Sequence, residues 1–423
     1  LRTGVLRIQP NVPTLLLWGI VITTSLSAIF SQSVNDSFVG AQVNSQSVVF
    51  VGLLALIVTA TQFLLKAKSL MMKLYLILSI VSVILGLHHL LRLFLGPEAL
   101  TFGLSSSRVF SLIGGWNDAG IFFGLIILLS LLVLEQLPLS KYVKAFFFAI
   151  SLVAIFMLAI IQFTAVWVLL GFIALITLMY ALTKNRFYQS YKQHSTLSLI
   201  LSGVIITCTL VFLLIGNTVS SFVTDLTNIN YVEVRPSVNA TLDIGKNIYN
   251  ENALLGVGPN QFVYAWREYK DPSINNTVFW NTDFNAGSGY IPTVFATTGI
   301  MNTVLWIAFL ISFLFIGYRM LIKAKNTDTF WYFMASSSFL ASIYLWVISI
   351  IYLPSPSILM LAALFTGISL VSYTNLTTVP VFTFNSLQNK QATILLVSGV
   401  IVTVIILTAS LFAITTHYSA SYA

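Results

Sequence analysis

The stretch 142–182 reads YVKAFFFAISLVAIFMLAIIQFTAVWVLLGFIALITLMYAL and carries a single charged side chain, Lys144. It is too long for one crossing of a hydrocarbon core about 30 Å thick, which takes about 20 residues as a helix. Gln162 and Thr164, near its middle, predict a tight hairpin turn between spans 142–160 and 163–182. Working outward in both directions, the same criterion gives further spans at 12–31, 46–65, 70–95, 119–137, 196–216, 293–318, 329–352, 355–377 and 391–415. Pro354 and Pro356 punctuate one of the hairpins, because proline cannot continue a helix. The whole chain of 423 residues is 57% hydrophobic and 8% charged. Soluble domains run near 25% charged, so a soluble enzyme is excluded. A disordered chain, which needs low hydrophobicity and high charge, is excluded as well. The fold class is an all-α polytopic membrane protein with eleven transmembrane helices.

Charge assigns an orientation. The net charge is +8. With Arg2 and Arg7 in the cytoplasm, fourteen of the 20 basic residues fall on that side, together with only two acids, Glu135 and Asp328. The two sides then carry +12 and −4, which account for the net +8. This follows the positive-inside rule, so topology explains the basic balance and nucleic acid is not an expected partner. The large loop and the C-terminus fall outside the cytoplasmic membrane. Cys208 is the one cysteine, inside an apolar run, so no intrachain disulfide forms. The chain starts at Leu1 and stops just past an apolar run, and reads as a fragment. We read 1–423 as a single transmembrane domain. Within it, 217–292 is an extracytoplasmic loop subdomain, a length that usually signals function. Its segment 237–254 predicts a short amphipathic helix with Leu242, Ile244 and Ile248 on one face.

The residues available for chemistry are few. No metal-binding or nucleotide-binding spacing is present, and no metal or cofactor is expected. His88 and His89 are adjacent and point about 100° apart on a helix. The external arginines are more informative: Arg92, Arg108, Arg235 and Arg267. Arg92, one turn after the histidines, sits where a side chain snorkels to the interface. Arg108 precedes Phe110-Ser111-Leu112-Ile113-Gly114-Gly115-Trp116-Asn117-Asp118, a small, polar stretch at the mouth of a span. Arg235 lies in Glu233-Val234-Arg235-Pro236-Ser237. The planar fork of arginine suits pyrophosphate, although a lipid headgroup or a salt bridge to Glu233 would use it equally. Tyr264, Trp266, Tyr269 and Trp280 are either sugar-stacking rings or a local core or interfacial belt. Pro292 and Gly299 inside an apolar run predict a broken helix, which a membrane tolerates only where it is buried in protein or lines a cavity.

Three of these patches, in order, resemble the O-antigen ligase and O-antigen polymerase superfamily of bacterial membrane glycosyltransferases. They are 108–123 (RVFSLIGGWNDAGIFF), 235–262 from Arg235 through GVGPNQF, and 288–300 ending ATTGI. Trp116-Asn117-Asp118 stands where the family has Pro-Asn. The resemblance implies transfer of a glycan from polyprenyl pyrophosphate to an acceptor hydroxyl outside the cytoplasmic membrane, without a metal. Arginines would hold the pyrophosphate and a histidine would act as base. Two departures stand out. Ser288 occupies the position of that histidine, and Phe163-Thr164-Ala165 lacks an arginine the family often has.

The site implied by the resemblance is therefore Arg235 with Asp283, Glu268 or Ser288 as catalytic groups. Arg108, Asn117, Asp118, Arg92, His88, His89, Arg267 and Trp280 would bind substrate. Asp118, His88 and His89 are further candidates for the missing base, and for Asp118 and Asp283 the structural alternative is a helix cap. The implied partners are a polyprenyl-pyrophosphate-linked glycan, membrane lipids and a glycan or lipid acceptor. Two other readings stand beside it. One is an inactive lipid-linked glycan-binding protein of the same fold. The other is a polysaccharide transporter or flippase, against which the nearly charge-free span centres argue.

Overall fold

The computed structural model describes residues 5–8, 11–40, 44–101, 107–187, 196–324, 329–376 and 382–385. In chain order the α-helices are α1 (Val12–Ile29), α2 (Val34–Phe38), α3 (Val48–Leu64), α4 (Lys68–Leu95), α5 (Trp116–Gln136), α6 (Lys141–Ile161) and α7 (Thr164–Phe187). They continue with α8 (Thr196–Thr227), α9 (Val238–Asn252), α10 (Phe262–Tyr269), α11 (Tyr290–Ala324), α12 (Thr329–Ile351) and α13 (Pro356–Leu376). Among the described residues, nine of these are long and apolar enough to cross a membrane. The protein is an all-helical, multi-pass membrane protein. The strands Val5–Ile8 and Phe382–Asn385 form one short antiparallel pair. Span 391–415 lies outside the described residues. Helix α3, at 17 residues, is shorter than a full crossing takes.

The chain forms two compact units. One comprises 62–234 and 324–369 and is built around α5. That helix packs against α4, α6, α7, α8 and α12. Every residue from Asp118 to Leu134 is buried. A helix apolar on all sides belongs inside a bundle, and α5 has no polar face to expose. Gly120 and Gly124 let its neighbours approach. A Cβ on Gly120 would lie 2.9 Å from Ile161, and one on Gly124 would collide with the Tyr344 hydroxyl. That hydroxyl donates to the Ile121 carbonyl at 2.9 Å. The hairpin in 142–182 turns at Gln162, which ends α6 in the left-handed region (φ 61°). Helix α8 departs from expectation. It does not stop at 216 but bends at Ile215 (φ −128°, ψ 27°) and runs on to Thr227. No proline or glycine follows Gly216 to stop it, and Asn228, at φ 52°, ends the helix.

The other unit comprises 1–61, 235–323 and 370–423. Its organising feature is the break in α11. As one helix, its 35 residues would extend about 52 Å, far beyond the hydrocarbon thickness. Gly299 (φ 77°, ψ 176°) interrupts it. Pro292 does not contribute to the break: it sits in the first turn, where no helical donor is lost. The groups released at the break are taken up by residues 253–258. Ile300 N donates to Ala253 O at 2.8 Å, and Gly258 N donates to Thr297 O at 3.0 Å. The approach is so close that a Cβ on Gly256 would strike the Thr297 carbonyl and one on Gly299 the Leu254 carbonyl. Helix α1 closes the other side, with Ser27 Oγ donating to Leu255 O at 2.5 Å. Asn302, fully buried, donates to Thr24 Oγ1 at 2.9 Å.

Helix α9 begins at Ser237, whose hydroxyl accepts from Ala240 N at 3.1 Å. Its buried face is Thr241, Ile244, Gly245 and Ile248. Leu242, expected on that face, is 60% exposed. Two residues from Ile244 is about 200° around the helix, whereas the i, i+3, i+4, i+7 positions share one side. Ile244 and Ile248 join Phe262, Ala265 and Trp266 in a small core.

The break gives a direct test. Gly256→Ala combines a Cβ collision with a strained φ of 66°. It should lower stability by at least about 1–3 kcal/mol, read as a reduced thermal midpoint in detergent. Gly52→Ala, whose Cβ meets nothing within 4 Å, should leave the midpoint unchanged or raise it.

Candidate functional site

The candidate site is the polar mouth of α5, where the last turns of α4, the 107–115 loop and the segment after α8 meet. Arg92 is only 6% exposed, so it does not snorkel outward as the sequence suggested. Its Nη1 donates to Phe110 O at 2.5 Å. Its Nη2 donates to Pro97 O at 2.8 Å and to Ser107 O at 2.6 Å. Nε adds a bond to Pro97 O at 3.3 Å, and the guanidinium lies 5.3 Å from the Phe110 ring centroid. One buried cation thus gathers three backbone carbonyls, two of them beside Arg108. Arg108 itself is exposed and donates to Thr227 O at 3.1 Å.

His88 and His89 are both buried, with their rings edge to face at 5.2 Å. His89 also packs edge-on against Trp116 and Phe123. Its Nε2 is buried with no hydrogen-bond partner among the described residues. His89, Arg92, Arg108, Trp116, Pro97 and Ile229 line a narrow cavity. It has room for little more than a water molecule, so it admits an oxyanion edge and not a sugar ring. Among the described residues no group of three His, Cys, Asp or Glu side chains comes together to hold a metal.

The other flank of the same helix end is carboxylate-rich. Asp118 Oδ2 accepts from Gly115 N at 2.7 Å, and Oδ1 accepts from Ser355 N at 2.9 Å. Asp118 is therefore the helix cap the sequence allowed, fixing α5 to the start of α13. Gly114 has no room for a Cβ against Ser355 and Asp118. Asn117 donates to Glu233 Oε2 at 2.9 Å. The same oxygen accepts from the Tyr352 hydroxyl at 2.9 Å and the Tyr231 hydroxyl at 3.4 Å. Sequence reading treated Glu233 only as a partner for Arg235. Tyr231 and Tyr352 lie in stretches far apart in the chain, so no local pattern announced this cluster.

The remaining predicted residues lie in the unit that contains 235–323. Arg267 and Asp283 hold one another: Nε donates to Oδ1 at 3.0 Å and Nη2 to Oδ2. Asp283 is thus an ion-pair partner, not a helix cap. The hydrogen bond and charge of Arg267 hold its carboxyl below the usual carboxylate range, which makes it a weak base. Glu268 is exposed, and Lys270 donates to Trp280 O at 2.7 Å. The aromatic set divides, with Trp266 in the core and Tyr264 and Trp280 outside it. Ser288 N donates to Thr241 Oγ1 at 2.9 Å, and its own hydroxyl is buried without a partner among the described residues. Arg235 is half-buried, just ahead of α9.

The chain matches no known protein family, and no curated protein shows significant sequence similarity to it.

Two outcomes follow from this geometry. Arg92→Ala orphans the carbonyls of Pro97, Ser107 and Phe110, at a cost of about 1–3 kcal/mol for each one left buried and unpaired. Limited proteolysis should then cut within 97–110 at least tenfold faster. The Asp283 contribution is fully present above the ordinary carboxylate value of about 3.9 and is lost as pH falls through the lower folded value. Thermal midpoints of wild type and Asp283→Asn should therefore run parallel from pH 8 to 5 and converge only below about pH 4.

Proposed function

We propose that this protein is a membrane glycosyltransferase of the O-antigen ligase and polymerase type. It transfers a glycan from polyprenyl pyrophosphate to an acceptor hydroxyl at the outer face of the cytoplasmic membrane. The acceptor oxygen attacks the anomeric carbon, the bond from that carbon to the pyrophosphate oxygen breaks, and the hydroxyl proton passes to a base. Charge accumulates on the departing pyrophosphate, where fixed guanidinium groups stabilise it best. This reading assigns that role to Arg108, with Arg92 securing the loop from which it projects.

The observation that carries the proposal is the lock between two of the resembling segments. The Gly256-Val257-Gly258-Pro259 turn and the Ala296-Thr297-Thr298-Gly299-Ile300 stretch lie far apart in sequence, yet their backbones bond to each other directly. Segments that resemble one family's motifs would be expected to converge in this way. A second reading, binding of lipid-linked glycan without turnover, is favoured by Ser288, a poor base at the position of the family's histidine.

The test is turnover. Purified protein incubated with polyprenyl-pyrophosphate oligosaccharide and a mixed pool of hydroxyl acceptors should release polyprenyl pyrophosphate. Arg108→Ala should lower the rate at least a hundredfold, in line with removal of one oxyanion-stabilising donor. Donor binding without release would favour the non-catalytic reading, and absence of both would discard the substrate assignment.

A further inference from the structure

We infer that the cavity at the mouth of α5 seats one phosphate oxyanion carried on a lipid, and that His89 Nε2–H donates to it beside the Arg108 guanidinium. The inference rests on the glycosyl-transfer reading for its preferred ligand, the polyprenyl pyrophosphate. Within that reading it gives His89 one role, donor to the phosphate and not base.

Two cations meet at this cavity without a counter-ion. Arg92 is buried, and its N–H groups go to the carbonyls of Pro97, Ser107 and Phe110. Arg108 likewise donates to a carbonyl, that of Thr227. Carbonyl dipoles satisfy the donors but leave the net charge in place. Neither arginine has a carboxylate partner among the described residues. Asp118 is committed to Gly115 N and Ser355 N, and Glu98, next to Pro97 in the chain, is exposed and does not line the cavity. An uncompensated buried charge is costly, and an anion in the cavity lowers that cost.

His89 supplies an independent sign of a ligand. It is 2% exposed, and its ring is held edge to face by His88, Trp116 and Phe123 at 5.2, 5.8 and 5.9 Å. The imidazole lines the cavity, yet its Nε2 is buried with no partner among the described residues. Such an orphan in a native structure calls for a water or a ligand. A water would serve Nε2 but leave the two cations uncompensated, whereas an oxyanion answers both. Imidazole can present an N–H at Nε2 in either charge state. The cavity is too small for a sugar ring, so an acceptor hydroxyl has no place beside Nε2, and His89 is not its base.

The surroundings say what carries the phosphate. Leu93 lines the cavity, and the next two residues, Phe94 and Leu95, are 82% and 68% exposed at the end of a membrane-spanning helix. A phosphate on a long apolar chain can seat its head at His89 and lay the chain along these side chains. A free phosphate gains nothing from them.

Binding can be read at the histidine itself. Protein labelled with ¹⁵N-histidine, in a phosphate-free maltoside detergent, is titrated separately with polyprenyl pyrophosphate, dioleoyl phosphatidic acid and inorganic pyrophosphate. One imidazole resonance, assigned by its loss in His89→Phe, should move saturably with polyprenyl pyrophosphate and at least tenfold more weakly with the inorganic ion. His89→Phe keeps a ring against Trp116 and Phe123 but removes the donor. Its affinity for polyprenyl pyrophosphate should fall at least tenfold, about 1.4 kcal/mol, at an unchanged thermal midpoint. His89→Gln, which restores an N–H, should recover part of that loss. Should His89→Phe fail to fold, the wild-type resonance and His89→Gln carry the test. A resonance that moves with none of the three compounds overturns the inference, as does a loss under tenfold in folded His89→Phe. Equal affinity for inorganic pyrophosphate overturns the lipid requirement. Phosphatidic acid binding as tightly as polyprenyl pyrophosphate overturns the assignment to the glycan donor and makes this a phospholipid site. Binding as expected, without turnover by the wild type, supports this inference and overturns the glycosyl-transfer reading alone.

Discussion

Inside hydrocarbon, a backbone N–H or C=O has no water to turn to, and each one left unpaired costs several kcal/mol. Most helices here satisfy that constraint within themselves. Helix α11 does not, because Gly299 interrupts its ladder. The bonds are made up from 253–258, and this requirement shapes the surrounding unit. It explains why Gly256 and Gly258 have positive φ, why Ser27 of α1 reaches Leu255, and why Gln261 is buried with its amide on Ser37 at 3.0 Å. The short helices α9 and α10 give the supporting turn a rigid base through Ile244, Ile248, Phe262 and Trp266.

The unit around α5 answers a different demand. A helix enclosed on every side needs small residues wherever neighbours must approach, and Gly120 and Gly124 serve there. Its ends are where polarity is permitted. At one, Glu135 accepts from Ser198 at 2.6 Å and Gln136 from Ser336 at 2.6 Å. At the other, Asp118 and Asn117 organise the acidic flank while Trp116 closes the cationic one. Arg92 is central to the second end. Its charge is matched by three carbonyl dipoles, so it secures a loop without consuming a carboxylate.

Much of this fold was legible in the sequence because hydrophobic length is a strong signal. The hairpin at Gln162, the stops at Pro354 and Pro356, the α9 helix and the break at Gly299 all followed from local composition. The errors have local causes as well. Leu242 was placed on the buried face by ignoring that i and i+2 oppose one another. The span over α8 was ended at 216, although nothing after it stops a helix until Asn228. The site was less readable. Arg92, Arg108 and His89 share a chain neighbourhood and were found together. Glu233, Tyr231 and Tyr352 meet only through tertiary packing, and Arg267 and Asp283, read as separate functional groups, turned out to be each other's partner.

The lock at Gly299 also fixes an order of events during synthesis. The turn that completes the broken helix, and the α1 serine that supports it, both precede α11 in the chain. As α11 leaves the ribosome, its pairing surface has already been made, and the break can be closed on arrival. Until it closes, 290–298 is a segment of nine residues, about 14 Å of helix, too short to cross the membrane alone. A rearrangement of the gene that placed 235–262 after 290–324 would keep every contact of the finished protein available, yet leave a half-helix waiting in the bilayer for a partner not yet translated.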